Sequence, residues 1–454
     1  MTRICRPGPG MAVTVVGLAR SGAAAARFLI GQGCLVRVTE SSDTPDLRRA
    51  VVELEAAGAL VETGRHSRAF VEGSALLVVS PGVLRTAPPV LWARELEIPV
   101  VGEMELGSWF CPGRIVAVTG SNGKSTVVTW LGEMLQAAGR AAVVCGNIGW
   151  PLTGELHRIT AKTVVVLEVS SFQLEDSVSF HAEVGCVLNV TDNHLDRHGS
   201  LAAYQAAKAR LFAFQRTGEW GVFNADDPGS RKLAGTLRGN RVFFSRKKEM
   251  AGAFIKDGLI RLDLPSFSGP VCPVREMPFQ GPHHEENALA VACMAGLLGA
   301  DPEAMARTLR SFQGLPHRQE RVAQIRGVMF INDSKSTTVA SGIRAIESAP
   351  GQVVLIAGGR DKGSNFKQLR PWSRKVKAAV LIGEDGPKIA ASLKGAVSVV
   401  RSAGTLTEAV RTAFDLARRG ECVLLSPMCT SFDMFRDFED RGEKFAEAVR
   451  GMDA

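Results

Sequence analysis

The run VTGSNGKSTVVTW, residues 118–130, closes an apolar stretch and opens an amphipathic one. Gly120 and Gly123 carry no Cβ, so backbone N–H groups there can approach phosphate oxygens. The helix expected to follow presents its positive end to anions. Lys124 stands where a cation offsets β- and γ-phosphate charge, and the Ser125 or Thr126 hydroxyl is placed to reach Mg²⁺. The spelling departs from G-x-x-x-x-G-K-[ST]: Val118 holds the first glycine position and Gly120 comes two residues late. Further on, LEVSSFQLE puts Glu168 at the end of a buried strand. A carboxylate there needs either a structural salt bridge or a bound cation. NVTDNHLDRHG follows the next strand and gathers Asp192, His194, Asp196 and His198. That loop reads either as ordinary polar surface or as a ligand site at a sheet edge.

The elements that must position these residues alternate strand and helix, which predicts an α/β fold with parallel sheets. MAVTVVGLARSGAAAARFLIGQG reads as strand, glycine turn and helix, with CLVRVTE and ALLVVSPGV as later strands. Gly17 and Gly22 flank that first turn, either for close strand–helix packing or as a weak dinucleotide-type fingerprint. RIVAVTGSNGKST begins a second such unit, with TVVVLEVSSF and AEVGCVLNVT as buried strands and SLAAYQAAKARLFAF as a helix. Residues 240–282 predict a small antiparallel addition. GLPHRQE reads as a linker, and VMFINDS, VVLIAGGRDKG, AAVLIGE and CVLLSP form a third α/β segment. Three domains are expected: Rossmann-like at 1–102, P-loop ATPase-type at 103–314, and Rossmann-like at 315–454.

Composition narrows the function classes. The 454 residues are 45% hydrophobic and 22% charged, as in a globular protein. The net charge of +8 is scattered, with its densest cluster at Arg246, Lys247 and Lys248. This reads as a solvated surface suited to small anionic substrates rather than a nucleic-acid interface. Nine cysteines without a C-x-x-C pair predict reduced thiols and a cytoplasmic setting. The N-terminus is interrupted by Pro7, Gly8, Pro9 and Gly10 and does not read as a signal peptide. No apolar run of the length of a membrane span occurs.

TGSNGKST, EVSSFQL, NVTDNHLDRHGSLAAYQAAKARLF, GLPHRQERV, NDSKSTT and GGRDKG, in this order, resemble the Mur ligases over nearly the whole chain. These are ATP-dependent, amide-forming enzymes of peptidoglycan precursor synthesis, related to folylpolyglutamate synthetase. The family's loop reads T-G-x-N-G-K-[ST], so the displaced glycine is its own variant. LLSPMCTSFDMFRDFEDRG, with GNIG at 146–149 and SPG at 80–82, resembles the branch that adds D-glutamate to UDP-N-acetylmuramoyl-L-alanine. The D-N-P-R stretch of the branch adding a diamino residue is absent.

The resemblance implies ATP held by Gly120, Ser121, Asn122, Gly123, Lys124, Ser125 and Thr126, with Asn287 at adenine and Arg318 and Asp333 also reaching the nucleotide. It implies two Mg²⁺ ions, or Mn²⁺, one served by Ser125 and Glu168 and one by His194 and a CO₂-carbamylated Lys208. Taken alone, Lys208 reads as a solvated helix lysine. Lys335 is implied near the transferred phosphate. Gly17, Leu18, Gly22, Asn147 and His194 are implied at the UDP-substrate, and Thr337, Lys362, Ser431 and Phe438 at D-glutamate. Lys124, His194, Lys208 and Lys335 would carry the catalysis, in a monomer without nucleic-acid or membrane partners. Two departures stand out: His284 replaces the first Asn of G-x-H-N-x-x-N, and Ser41 and Ser42 replace a Thr-Arg pair near uracil. The alternatives are a related ligase with another acceptor and a non-catalytic nucleotide switch.

Overall fold

The computed structural model describes residues 5–452 apart from 192–194, 236, 238, 279–280 and 362, and leaves out the side chains of Asp46, Leu195 and Asp196. Asp192, His194 and Lys362 therefore lie outside the described residues. The chain divides into two compact units, Met1–Phe312 and Gln313–Ala454.

The first unit holds two sheets. Strands β1 (Ala12–Val16), β2 (Leu35–Thr39), β3 (Leu60–Glu62), β4 (Leu76–Val79) and β5 (Val100–Gly102) are all parallel, in the order β3-β2-β1-β4-β5. The order reverses between β1 and β4, and such a switch point opens a crevice outside the carboxyl ends of the strands.

The second sheet contains β6 (Arg114–Thr119), β7 (Ala142–Gly146), β8 (Val164–Glu168), β9 (Val184–Val187), β10 (Trp220–Asn224), β11 (Asn240–Ser245), β12 (Gly252–Lys256), β13 (Leu259–Leu264) and β14 (Phe267–Pro273). Its order is β14-β13-β12-β11-β10-β9-β6-β8-β7. The antiparallel addition is smaller than the 240–282 expected, because β11 and β12 continue the parallel sheet and only β13 and β14 run against it. The β-branched, glycine-rich composition of that stretch suits either direction of pairing, so it could not fix the boundary.

Alternation explains the burial. Val116 and Val118 pack with Val127 and Leu131 of the helix Lys124–Ala137 and with the helix Pro282–Leu297, which is buried from Asn287 to Gly296. Ile115 and Ala117 pack on the other face with Phe180, Tyr204 and Phe212. Both faces of the sheet are therefore covered, as parallel sheets require. The two sheets are tied through the helix Glu103–Phe110, where fully buried Glu105 accepts from Val178, Ser179 and Phe180 N–H at 2.9, 2.9 and 3.0 Å.

The second unit has β15 (Glu320–Ile325), β16 (Val328–Asn332), β17 (Val353–Gly358), β18 (Val376–Ile382), β19 (Val399–Ser402) and β20 (Cys422–Leu425), in the order β15-β16-β20-β17-β18-β19. Only β15 is antiparallel, and it follows the stretch read as a linker.

Candidate active site

The phosphate-type loop runs from the end of β6 into the helix Lys124–Ala137. Gly123 sits at φ +84°, and a Cβ there would lie 2.6 Å from Asn287 Oδ1, so only glycine fits. Asn287, expected at adenine, thus borders the loop at the start of its helix. Lys124 Nζ donates to the carbonyls of Gly120 and Ser121 at 2.9 and 3.3 Å, which holds its charge over the loop. Ser121 and Asn122 brace the loop: Ser121 N–H donates to Asn189 O at 3.0 Å and Asn122 N–H to Asn189 Oδ1 at 2.8 Å. The Ser121 hydroxyl meets Tyr204 Oη at 3.1 Å and accepts from Thr191 N–H at 3.0 Å. Ser125 is buried and Thr126 half-buried in the first helical turn.

Two further groups converge on this strand end. Glu168 closes β8 beside Val118 of β6 and is 2% exposed. Its Oε1 accepts from Asn147 Nδ2 at 2.8 Å, while Oε2 is buried without a hydrogen-bond partner among the described residues. An orphaned carboxylate oxygen of this kind fits a cation. Lys208, on the helix Leu201–Ala209, is 1% exposed rather than solvated. Its Nζ donates to Thr119 Oγ1 at 3.2 Å and lies 4.5 Å over the Tyr204 ring. Burial, and secondarily Lys124, pushes its pKa well below the usual lysine range. The shift favours the unprotonated amine, the form that reacts with CO₂.

Of the acidic and imidazole loop, His198 can be described. Its ring is 2% exposed, with Nδ1 3.0 Å from Glu175 and Nε2 3.0 Å from Ser171 Oγ, and it stacks on Phe172. It braces the loop. Among the described residues no group of three or more His, Cys, Asp or Glu side chains could hold a metal, and His194, expected at the second ion, lies outside them.

The crevice between β1 and β4 deepens into a cleft of about 740 Å³ that reaches from Gly17, Arg20, Glu40, Ser41, His66 and Ser80 to Asn147. Gly17 has φ +93° and lines it, whereas Gly22 serves packing: a Cβ there would lie 1.7 Å from Gly17 O. Leu18 is 2% exposed in the core, and its N–H donates to Glu40 Oε2 at 2.9 Å. Leu18 and Gly22 therefore shape the turn behind the cleft. Although burial opposes it, hydrogen bonds from the N–H groups of Ser42 and Leu18 and the Ser41 hydroxyl hold the Glu40 pKa below the usual range. Asn147 joins this cleft to Glu168.

In the second unit, Asp333 follows β16 and accepts from Gln319 N–H at 3.2 Å, Ser426 Oγ at 3.1 Å and Ser336 Oγ. Burial pushes its pKa up to about 6, against these hydrogen bonds and nearby Arg318. Lys335 Nζ lies 4.4 Å over the ring of Phe438, and Thr337 N–H donates to Lys335 O at 2.9 Å. Ser431, 2% exposed, accepts at its carbonyl from Met434 and Phe435 N–H at 3.1 and 2.8 Å. Four of the residues expected at nucleotide or amino acid, Asp333, Lys335, Thr337 and Phe438, so share one region of this unit.

Glu40 and His66, which line the cleft, and Arg441 in the second unit are not among the residues expected from the sequence. Arg441 is fully buried and donates to Ser334 Oγ at 3.0 Å, Ser334 O at 2.9 Å and Cys429 O at 3.2 Å. Its place in the FEDRG run was the available signal.

Models of three domains match the chain: the Mur ligase MurD-like N-terminal domain at residues 11–102, the Mur ligase middle domain at 118–295, and the Mur ligase glutamate ligase domain at 317–429. The UDP-N-acetylmuramoylalanine--D-glutamate ligase of Pelotomaculum thermopropionicum is 43% identical over 446 residues, 97% of each chain. The UDP-N-acetylmuramate-alanine ligase of Thermotoga maritima superposes with a TM-score of 0.60 at 18% identity, covering 97% of this chain and 100% of that one. The MurF ligase of Thermotoga maritima in complex with ADP does so with a TM-score of 0.57 at 15% identity, covering 92% and 96%. At these identities the structures establish the shared fold.

Proposed function

The chain belongs to the Mur ligase family, and from that premise we propose that it joins D-glutamate to UDP-N-acetylmuramoyl-L-alanine, with ATP converted to ADP and phosphate. The observation that carries this reading is the end of β6, where Lys124 over the loop, the orphaned Glu168 oxygen and the buried amine of Lys208 come together. A nucleotide switch has no need of the last two. The glutamate ligase domain at 317–429 and the 43% identical relative support the choice of amino acid.

In the proposed reaction a substrate carboxylate oxygen attacks the γ-phosphorus of ATP, and the bond to ADP breaks. The D-glutamate nitrogen then attacks the acyl carbon, the carbon–oxygen bond to phosphate breaks, and the amine proton is lost. Positioning and electrostatics carry both steps. Lys124 and the N–H groups from Gly120 to Thr126 bind the triphosphate, with Asn287 toward adenine and Arg318 and Asp333 toward the nucleotide. Lys335 serves the transferred phosphate. Mg²⁺, when bound, offsets the crowded phosphate charge. Ser125 and Glu168 would hold one ion, and His194 with carbamylated Lys208 a second. The cleft lined by Gly17 and Asn147 takes the UDP-substrate, with Leu18 and Gly22 shaping its turn. Thr337, Lys362, Ser431 and Phe438 take D-glutamate: a cation and a hydroxyl suit its carboxylates, and an aromatic wall its methylenes. The functional domains are 1–102, 103–314 and 315–454, in a cytoplasmic monomer.

The test is ADP release from ATP and UDP-N-acetylmuramoyl-L-alanine with a panel of amino acids. Release should require both organic substrates and D-glutamate. Equal turnover with L-lysine, diaminopimelate or L-alanine would overturn the acceptor, and phosphate release that ignores both organic substrates would overturn the ligase.

A further inference from the structure

Arg197 lies on the short helix Leu195–His198, which directly follows His194, and no step of the proposed reaction uses it. Its side chain is 14% exposed and its guanidinium lies 4.1 Å over the ring of Phe172. Nη1 donates to Pro81 O at 3.1 Å, and Nη2 reaches Val83 O and Glu175 Oε2, both at 3.5 Å. Three segments therefore meet at one side chain: the turn after β4, the helix Ser171–Glu175 after β8, and the helix Leu195–His198 after β9.

Each segment adjoins a different part of the site. Ser80, Pro81, Gly82 and Val83 form a wall of the cleft, and Gln173 of the second segment lines it too. That second segment follows Glu168, and the third follows His194. The turn is closed by Val83 N–H donating to Ser80 O at 3.0 Å and is hung on β1 by Ser80 N–H donating to Val16 O at 3.0 Å. Its Pro81 and Val83 carbonyls go to Arg197. Glu175 divides its carboxylate, with Oε1 3.0 Å from His198 Nδ1 and Oε2 toward Arg197. Only a guanidinium suits this place: its planar fork spans two carbonyls while its face rests on an aromatic ring, whereas an ammonium is a point donor.

Resting on the reading of this cleft as the UDP-substrate site, we propose that Arg197 is a positioning residue that ties the helix Leu195–His198 to the cleft wall, so that a ligand seated against the turn at 80–83 also steadies that helix. Losing the fork would leave a filled cleft beside a helix no longer fixed to it. The cost would fall on turnover rather than on nucleotide binding.

The experiment is amide hydrogen exchange, read by mass spectrometry on the full chain. UDP is the probe, and a chelator is present so that no metal links the two regions. In the wild type, UDP should slow exchange at 79–84 and at 195–199. Arg197→Lys keeps the charge beside Glu175 but cannot span Pro81 and Val83. It should keep the UDP protection at 79–84 and lose it at 195–199. Its kcat for ADP release should fall about 10- to 100-fold, with KM for ATP and the thermal midpoint little changed. Protection at 79–84 alone in the wild type, or protection of both segments in Arg197→Lys, would overturn the proposal and leave the cleft assignment standing. Faster exchange of both segments in Arg197→Lys without UDP, with a lowered midpoint, would make Arg197 a packing residue and overturn the proposal in the same way. Failure of UDP to protect 79–84 in the wild type would overturn the cleft assignment and the proposal together.

Discussion

Asn147 donates from its side-chain amide to Glu168 Oε1 at 2.8 Å, and the other oxygen of the same carboxylate is buried without a hydrogen-bond partner among the described residues. One residue of the cleft thus orients a carboxylate beside the phosphate-type loop. Groups that orient a metal ligand typically change affinity 10- to 100-fold when lost. Asn147→Ala should weaken Mn²⁺ binding, read by paramagnetic relaxation, by about that factor, and should raise KM for the UDP-substrate in the same variant. A change in only one of the two would separate the roles.

Glu168→Gln removes a buried charge and leaves an isosteric amide. Activity should fall by at least about 100-fold, while the thermal midpoint should hold or rise, because a buried carboxylate without full pairing destabilises the fold. A large fall in the midpoint would assign Glu168 to structure.

Lys208 should depend on CO₂. Its buried amine is held well below the usual lysine range, so it is unprotonated, and reactive toward CO₂, at lower pH than a solvent-exposed lysine. Activity in CO₂-free buffer should decline and return on adding bicarbonate, with a matching gain of one CO₂ in intact mass. Lys208→Ala should lose most activity, and a small added carboxylate should restore part of it.

Asp333 sets a pH window for stability. Its native pKa of about 6 lies above the ordinary aspartate value. Between pH of about 4 and about 6 the native state binds more protons than the unfolded chain. Its contribution is full below that window and is lost as pH rises through it. The difference amounts to about 3 kcal/mol. Asp333→Asn should therefore raise the thermal midpoint at pH 8 relative to the wild type, with the gap closing near pH 4. A gap that widened toward acid would contradict the sign.

Arg441 holds together two segments carrying expected ligand residues, through Ser334 and Cys429. Arg441→Met would leave buried carbonyls unpaired at about 1–3 kcal/mol each. Denaturant unfolding should show that loss, and KM for D-glutamate should rise more than KM for the UDP-substrate. An unchanged midpoint would show that water replaces the guanidinium.

The sequence by itself determined the strands and the loop. Alternating apolar residues, the glycines at 120 and 123 and the ordered family motifs are local patterns, and local chemistry sets them. It also held an unread signal for Lys208, which follows Tyr204 by four residues and precedes Leu211 by three, on the buried stripe of its helix. The tertiary structure decided which ends meet. Gly17, Glu40, His66 and Ser80 are scattered along the chain, yet parallel pairing in the order β3-β2-β1-β4 brings the carboxyl ends of four strands to one edge. His66 Nδ1 meets the Thr39 hydroxyl, which donates to Glu62, and Glu168 accepts from Asn147, 21 residues away. Burial and hydrogen-bond accounting are properties of the packed chain, because desolvation is set by every neighbour at once, and no spacing in the sequence encodes them.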